Sequence, residues 1–373
     1  MDFRRRLWRV FLLLTVLLAT ASSWRTAIGT GRVSNFNYWT TKLFLVATGS
    51  LSHNNSNTTA SITTQRKHVA LLLGVRPTLP NAPKWLYRKA WKLHNALLPL
   101  LHWNDVTVEN KNALKVLWCK AITSVDPQSI CQDNDWTYDM MPNYSRWWIL
   151  KLIPISLYPR LHHANVEYRT VFLNRCIQQE IARLPSSTKI RLVAIGGGYD
   201  VRATRILSQN PRVQEAWELD LPVVIHGKRA LLERLKERRE KTKGPVQLPE
   251  LRAVDLNDLD AVRDILAEFP QNKKQGETWH TIYVIEGVMM FLNDGLPKEL
   301  FQLFREVARA DGENASICFA DHLTCSESSD SLTDEEERET VKSLFGSAGW
   351  NHFIHWAVKP GKARQMGCVR IHE

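Results

Sequence analysis

The residues of this chain best suited to chemistry are acids and glycines that close apolar runs. The run Arg191–Ile195 stops on Gly196-Gly197-Gly198-Tyr199-Asp200. Glycine lets the backbone turn sharply and come close to a ligand, because no Cβ stands in the way. A helix expected from Val201 to Leu207 directs its first N–H groups at the same place. A second run, Ala216–Leu219, ends on Asp220, where a carboxylate accepts hydrogen bonds from ribose hydroxyls. Leu251–Val254 leads into Asp255-Leu256, placed to hold an adenine edge, and Thr281–Ile285 ends on Glu286-Gly287. Strand ends that converge on one edge of a parallel sheet are where doubly wound folds bind ligands. The chemistry implied is that of a nucleotide-type cofactor.

A dinucleotide-binding turn requires Gly-x-Gly-x-x-Gly, with the third glycine letting helix and strand pack closely. Gly196 and Gly198 meet the first two positions, but the third is Val201. That substitution, with Asp255 and Glu286 at later strand ends, counts against an NAD(P)-dependent oxidoreductase, which stays as an alternative. A non-catalytic protein that kept the fold is a second alternative, opposed by the presence of all these acids and glycines.

Taken in order, Ile195–Asp200, Trp217–Pro222, Val254–Leu256 and Ile285–Leu292 resemble the motifs of the leucine carboxyl methyltransferase family. This is a branch of the S-adenosylmethionine-dependent methyltransferases, and the resemblance runs from about Tyr138 to the C-terminus. It implies an α/β fold, a doubly wound, seven-stranded, mostly parallel sheet of the class I methyltransferase (Rossmann-like) type. A helical, aromatic-rich extension precedes that sheet. It also implies S-adenosyl-L-methionine as cofactor. Carried over by position, Gly196 and Gly198 lie under the methionine part, with Asp200 closing the same motif. Asp220 holds the ribose, Asp255 and Leu256 flank the adenine, and Glu286 faces the methionine end. Arg169, in Glu167-Tyr168-Arg169-Thr170, stands where the family places an arginine that pairs with the cofactor's carboxylate, a task suited to a planar fork of donors. The family's best-known member, which methylates a protein phosphatase's C-terminal leucine, has a longer C-terminal region. Here the last two strands are expected at Asn351–Val358 and Met366–Ile371.

The implied activity is O-methyl transfer to a carboxylate, a protein C-terminal leucine included, or to a hydroxyl. The sulfonium carbon is already activated, so alignment is the enzyme's main task. A carboxylate acceptor needs no general base, whereas a hydroxyl needs one within hydrogen-bond reach. Tyr138, Asp139 and His322 are the residues to test as a base, with the loop pair His162-His163 behind them. Structural roles outweigh catalysis for each, and no catalytic residue is named. Tyr138–Pro142 and Arg146-Trp147-Trp148 occupy the place of a lid that excludes water from the sulfonium. No His/carboxylate cluster has metal-ligand spacing, so no metal is expected.

The 373 residues, 44% hydrophobic, suit one catalytic domain. Net charge is +11, but residues 1–104 hold fourteen Lys and Arg against the single acid Asp2. The remaining 269 residues carry 35 basic and 37 acidic side chains, which gives no electrostatic case for nucleic-acid binding. Arg4-Arg5-Arg6 and Arg9 precede an apolar run from Val10 to Ala21, shorter than the roughly twenty residues of a bilayer span. Residues 1–23 read as a signal peptide or signal anchor that engages membrane or translocon during targeting. Residues 24–80 are transit-like and disordered in composition, rich in Ser, Thr and Asn, with no acid from Arg25 to Lys67. A bipartite plastid presequence and an ER or Golgi anchor with a stalk both fit. Asn54, Asn57, Asn143 and Asn314 open sequons that a lumenal chain would have glycosylated.

Residues 84–159 read as a helical cap and 160–373 as the methyltransferase domain, with a monomer expected. Ten of the fourteen tryptophans precede residue 150 and recur on helical stripes such as that of Trp85 and Trp91, a core pattern. The six cysteines are scattered without a Cys-x-x-Cys pair and read as structural thiols. The charged segment Leu231–Lys241 reads as an exposed helix face with Glu233–Glu237–Lys241 pairing, and Asp334–Glu337 after Thr333 as an acidic first turn.

Overall fold

The computed structural model describes residues 111–126, 129–131, 135–141, 146, 160–269, 277–310, 312, 314–323, 333–358 and 365–372. The apolar segment near the N-terminus, the transit-like stretch, Trp85, Trp91, Pro142, Trp147, Trp148 and Cys325 lie outside the described residues. Among the described residues no helix is long and apolar enough to cross a membrane.

The elements alternate as a doubly wound fold requires. In chain order they are α1 (Lys111–Thr123), α2 (Asp135–Met140), α3 (Arg160–Arg183), β1 (Lys189–Ile195), α4 (Arg202–Gln209), β2 (Val213–Asp220), α5 (Pro222–Glu240) and β3 (Glu250–Ala253). There follow α6 (Leu259–Leu266), β4 (Trp279–Glu286), a 3₁₀ turn (Met289–Phe291), α7 (Leu296–Ala310), β5 (Ala315–Asp321), α8 (Asp334–Ser347), β6 (His352–Val358) and β7 (Gln365–Arg370). The seven strands form one sheet in the order β3-β2-β1-β4-β5-β7-β6. β1 to β5 pair in parallel, and β7 runs antiparallel to both β5 and β6. Strand order reverses between β1 and β4, so the crevice at their carboxyl ends is the natural ligand position.

Side-chain alternation divides the core between the two faces of the sheet. Val193, Ile195, Leu219, Tyr283, Ile285 and Phe319 face α6, α7 and α8, where Tyr283 stacks on Phe304 with ring centroids 4.3 Å apart. Leu192, Ala216, Ile282, Val284 and Cys318 face α3 and α4. Strand runs apolar at both parities are what a sheet covered on both faces demands.

Several local readings gain or lose detail. Thr333 caps α8 through a reciprocal bond with Glu336, as the acidic first turn suggested. Glu237 and Lys241 pair at 3.0 Å on the exposed side of α5. That helix is not solvated all round, however: Leu231, Leu232, Leu235 and Arg239 are buried. His162 and His163 stand in the first turn of α3, which starts right after Pro159, and not in a loop. Trp118 and Trp136 are buried, and five of the cysteines are free and buried.

Candidate active site

The glycine turn owes its shape to two positive backbone angles, φ +61° at Gly196 and +50° at Gly198. A Cβ at Gly196 would stand 2.3 Å from Val288 Cγ2, so the turn after β1 and the turn after β4 fit together only with glycine there. The Gly198 N–H donates to Asp220 Oδ2 at 2.6 Å, and the Leu221 N–H donates to Oδ1 at 2.7 Å. Asp220 therefore braces the glycine turn from the end of β2. Burial pushes its carboxyl up, against the pull of those two N–H groups and of Lys228.

Asp200 plays a part that spacing did not foretell. Its Oδ1 accepts the Arg202 N–H at 3.0 Å, so one of the first N–H groups of α4 is used within the chain. Its Oδ2 meets Lys120 Nζ at 2.9 Å and an Arg202 Nη at 2.7 Å. Glu286, at the end of β4, receives the same Lys120 at 2.9 Å, Arg202 at 2.8 Å and Arg169 Nε at 2.7 Å. Three cations thus share two carboxylates at the point where the strand order reverses. Burial opposes ionisation of both acids, yet Lys120, Arg202 and Arg169 hold Glu286 down at about 2, and Arg202 and Lys120 hold Asp200 well below the usual range. Asn174 of α3 fixes Arg202 through its Nε at 2.9 Å.

Arg169 spends only Nε on Glu286; among the described residues its Nη edge makes no bond. Near it, buried Asp321 accepts N–H groups from Val288 (2.7 Å), Met289 (3.1 Å) and His322 (2.8 Å). Those bonds tie β5 to the turn after β4. Burial raises the Asp321 carboxyl against them.

At the outer end of the crevice Asp255 is exposed and accepts from the Asn257 backbone and side chain, both at 2.9 Å. Leu256 turns into the core beside it. Among the described residues, the two large apolar side chains that stay exposed, Leu221 and Phe291, both follow strand ends on this edge.

Arg169, Gly196, Gly198, Asp200, Asp220 and Glu286 therefore converge, with Asp255 and Leu256 on the same sheet edge. Tyr138 and Asp139 do not join them. Asp139 binds Arg239 at 2.7 Å and Lys243 at 2.9 Å, and Tyr138 lies under Arg146. Arg239 is the penultimate residue of α5, about 25 Å along the helix axis from Asp220. His322 is half-buried and anchored through its backbone.

Lys120, Arg202 and Asp321 escaped the sequence reading. Lys120 had a signal: a lone cation between Trp118-Cys119 and Ala121-Ile122 in a buried helix implies a carboxylate partner. Arg202 follows the glycine motif directly, and Asp321 ends the fifth strand as the other acids end theirs.

A profile of the leucine carboxyl methyltransferase family matches residues 115–305, just over half of the chain and the whole span from Lys120 to α7. The chain belongs to the leucine carboxyl methyltransferase family. As a member it is a methyltransferase, and S-adenosylmethionine is its methyl donor. The comparison with curated proteins returns no match. Among solved structures, it is similar to a putative methyltransferase from Thermobifida fusca YX at 14% identity, covering 62% of this chain and 92% of that one with a TM-score of 0.38. It is also similar to LepI in complex with SAM, at 14% identity, 96% and 100% coverage and a TM-score of 0.34. A third likeness is to a pericyclic reaction enzyme, at 13% identity, 96% and 100% coverage and a TM-score of 0.35.

Proposed function

We propose that this family member is an O-methyltransferase whose acceptor is a carboxylate. The site residues fit the cofactor chemically. The Nη edge of Arg169 offers the parallel donors that a carboxylate takes, and a third anion would balance three cations that share two acids. Glu286 would face the methionine end, Asp220 would receive the ribose hydroxyls, and Leu221 with Phe291 would cover an adenine face. When bound, S-adenosylmethionine supplies a methyl group on a cationic sulfur, activated for attack.

The observation that favours a carboxylate acceptor is that the acids of the described crevice are already committed. Glu286 and Asp200 are held ionised by cations, and Asp321 accepts three backbone N–H groups. A hydroxyl acceptor needs a base with a free lone pair and a matched pKa, and Asp139 is tied to the far end of α5. A carboxylate is ionised at neutral pH and needs only orientation. The test uses S-adenosylmethionine labelled in its methyl group, offered with peptides ending in leucine and with small carboxylic acids and phenols. Label released by mild alkali as volatile methanol marks an ester and is the expected result. Label that survives alkali marks an ether and overturns the carboxylate reading.

A further inference from the structure

Directly behind the glycine turn lies a buried ion pair that the site described above does not use. Glu218 is two residues before Asp220 on β2, and Lys228 is in the second turn of α5. Their side chains are each 1% exposed and meet through Glu218 Oε2 and Lys228 Nζ. A Cβ on Gly197, the middle glycine, would be 3.4 Å from that oxygen and 3.6 Å from that nitrogen. The pair therefore abuts the turn itself. The adjoining residue, Gly227, brings α5 close: a Cβ there would stand 2.6 Å from the hydroxyl of Tyr199, the residue after the turn.

Such a pair is costly. Desolvating two charges in the interior often exceeds their mutual attraction, and well-packed apolar residues commonly serve stability as well or better. An ammonium has three donors, yet Lys228 Nζ makes no hydrogen bond beyond its contact with Glu218 among the described residues. Its field reaches both acids of the turn, Asp200 and Asp220, and favours their ionised forms.

We propose that Lys228 is a positioning residue for cofactor binding: from behind Gly197 it keeps Asp220 a pure hydrogen-bond acceptor, with Glu218 as its counterweight. This rests on the reading that Asp220 receives the ribose hydroxyls. The groups facing Asp220 are the Gly198 and Leu221 N–H donors, Lys228 from α5 and, two residues back on its own strand, Glu218. Burial pushes Glu218 itself up to about 7 against the pull of Lys228, with Asp200 and Asp220 adding to the rise. Protonation of Asp220 removes a lone pair that the ribose needs, so affinity falls as pH falls through its pKa. Without Lys228 that fall begins at higher pH.

The test is calorimetric titration of the full chain with S-adenosylmethionine from about pH 8 down to about pH 5. Lys228→Met is expected to move the midpoint of the affinity loss to higher pH and to weaken binding in the range where the wild type still binds. Lys228→Arg is expected to keep the wild-type profile. A purely structural pair would change melting temperature in these variants and leave the midpoint where it was, which overturns the proposal. Should Lys228→Met fail to fold, Lys228→Gln takes its place: a wild-type midpoint in that variant overturns the proposal. Asp220→Ala separates the underlying reading. If Asp220→Ala binds as tightly as wild type, the ribose reading itself falls. If it binds weakly and the midpoint of the Lys228 variant does not move up, only the role of Lys228 falls.

Discussion

The two ends of the sheet each bury a polar cluster, and the clusters are built on different terms. At the amino ends of the parallel strands, Glu180 of α3 takes a bidentate grip from Arg370 of β7, with Nε at 2.9 Å from Oε2. His280 on β4 shares a hydrogen bond with Ser316 on β5 at 3.1 Å, both side chains buried. There one acid answers one principal cation, and the imidazole is kept neutral by burial, its pKa down at about 4. At the carboxyl ends, Lys120, Arg169 and Arg202 share Asp200 and Glu286, beside two turns that need glycine. A closed cluster fixes the strands to α3. An open one keeps donor capacity for something brought from outside. Burial and charge alone do not tell a site from a brace; the balance of partners does.

The comparison breaks most visibly at Gly196. Gly196→Ala places a Cβ 2.3 Å from Val288 and asks alanine for a φ of +61°. Cofactor binding is expected to drop below detection by calorimetry, with a lowered melting temperature. Wild-type affinity in that variant would show that the turn is not part of the site. At the other end, Arg370→Ala leaves the Glu180 carboxylate buried with only Arg183 at 3.4 Å. Breaking a buried pair from one side costs about 3–5 kcal/mol, measured by denaturant unfolding. Cofactor affinity measured at a temperature where the variant is folded should not change.

The pH dependence sharpens the same contrast. His280 has a folded pKa of about 4 against the usual 6.5, so it contributes stability that is fully present above 6.5 and lost as pH falls from 6.5 towards 4. The shift corresponds to roughly 3 kcal/mol. Glu286, held at about 2, contributes stability present above the usual carboxylate range and lost only as pH falls towards 2. Acid unfolding should therefore begin with the amino-end cluster. Between pH 6.5 and 4 stability should decline less in His280→Gln than in the wild type; parallel declines would show that the imidazole is not the group responsible. The smallest effect is expected from Thr333→Ala, which removes an exposed capping box on α8 that bonds to neither cluster. A melting-temperature decrease of about 2 °C is predicted by calorimetry, with no change in binding.

Much of the fold could be read from apolar runs and what ends them. The strands lie where the apolar runs put them and differ by a few residues at their ends, where backbone pairing extends past the apolar core into polar residues such as Lys189, Glu215 and Gln365. The crevice was readable as far as its acids sit on strand tips, because parallel strands deliver their tips to one edge. Lys120 was not, since its helix comes from before the motifs and its long-range partners Asp200 and Glu286 are set by tertiary packing. Tyr138 and Asp139 show the reverse failure. Chain order placed them before the core, but side-chain pairing with Arg239 and Lys243 draws them to the distal end of α5.

The most direct measurement is a calorimetric titration of the full chain with S-adenosylmethionine, run on the wild type, Arg169→Ala and Arg370→Ala. Loss of Arg169 leaves Glu286 paired with Lys120 and Arg202, so folding survives. Affinity should fall by about a hundredfold, as expected when one partner of a buried charge pair is truncated. Arg370→Ala should bind as the wild type does while melting lower. Unchanged affinity in Arg169→Ala, or equal losses in both variants, would contradict the assignment of the open cluster to the cofactor.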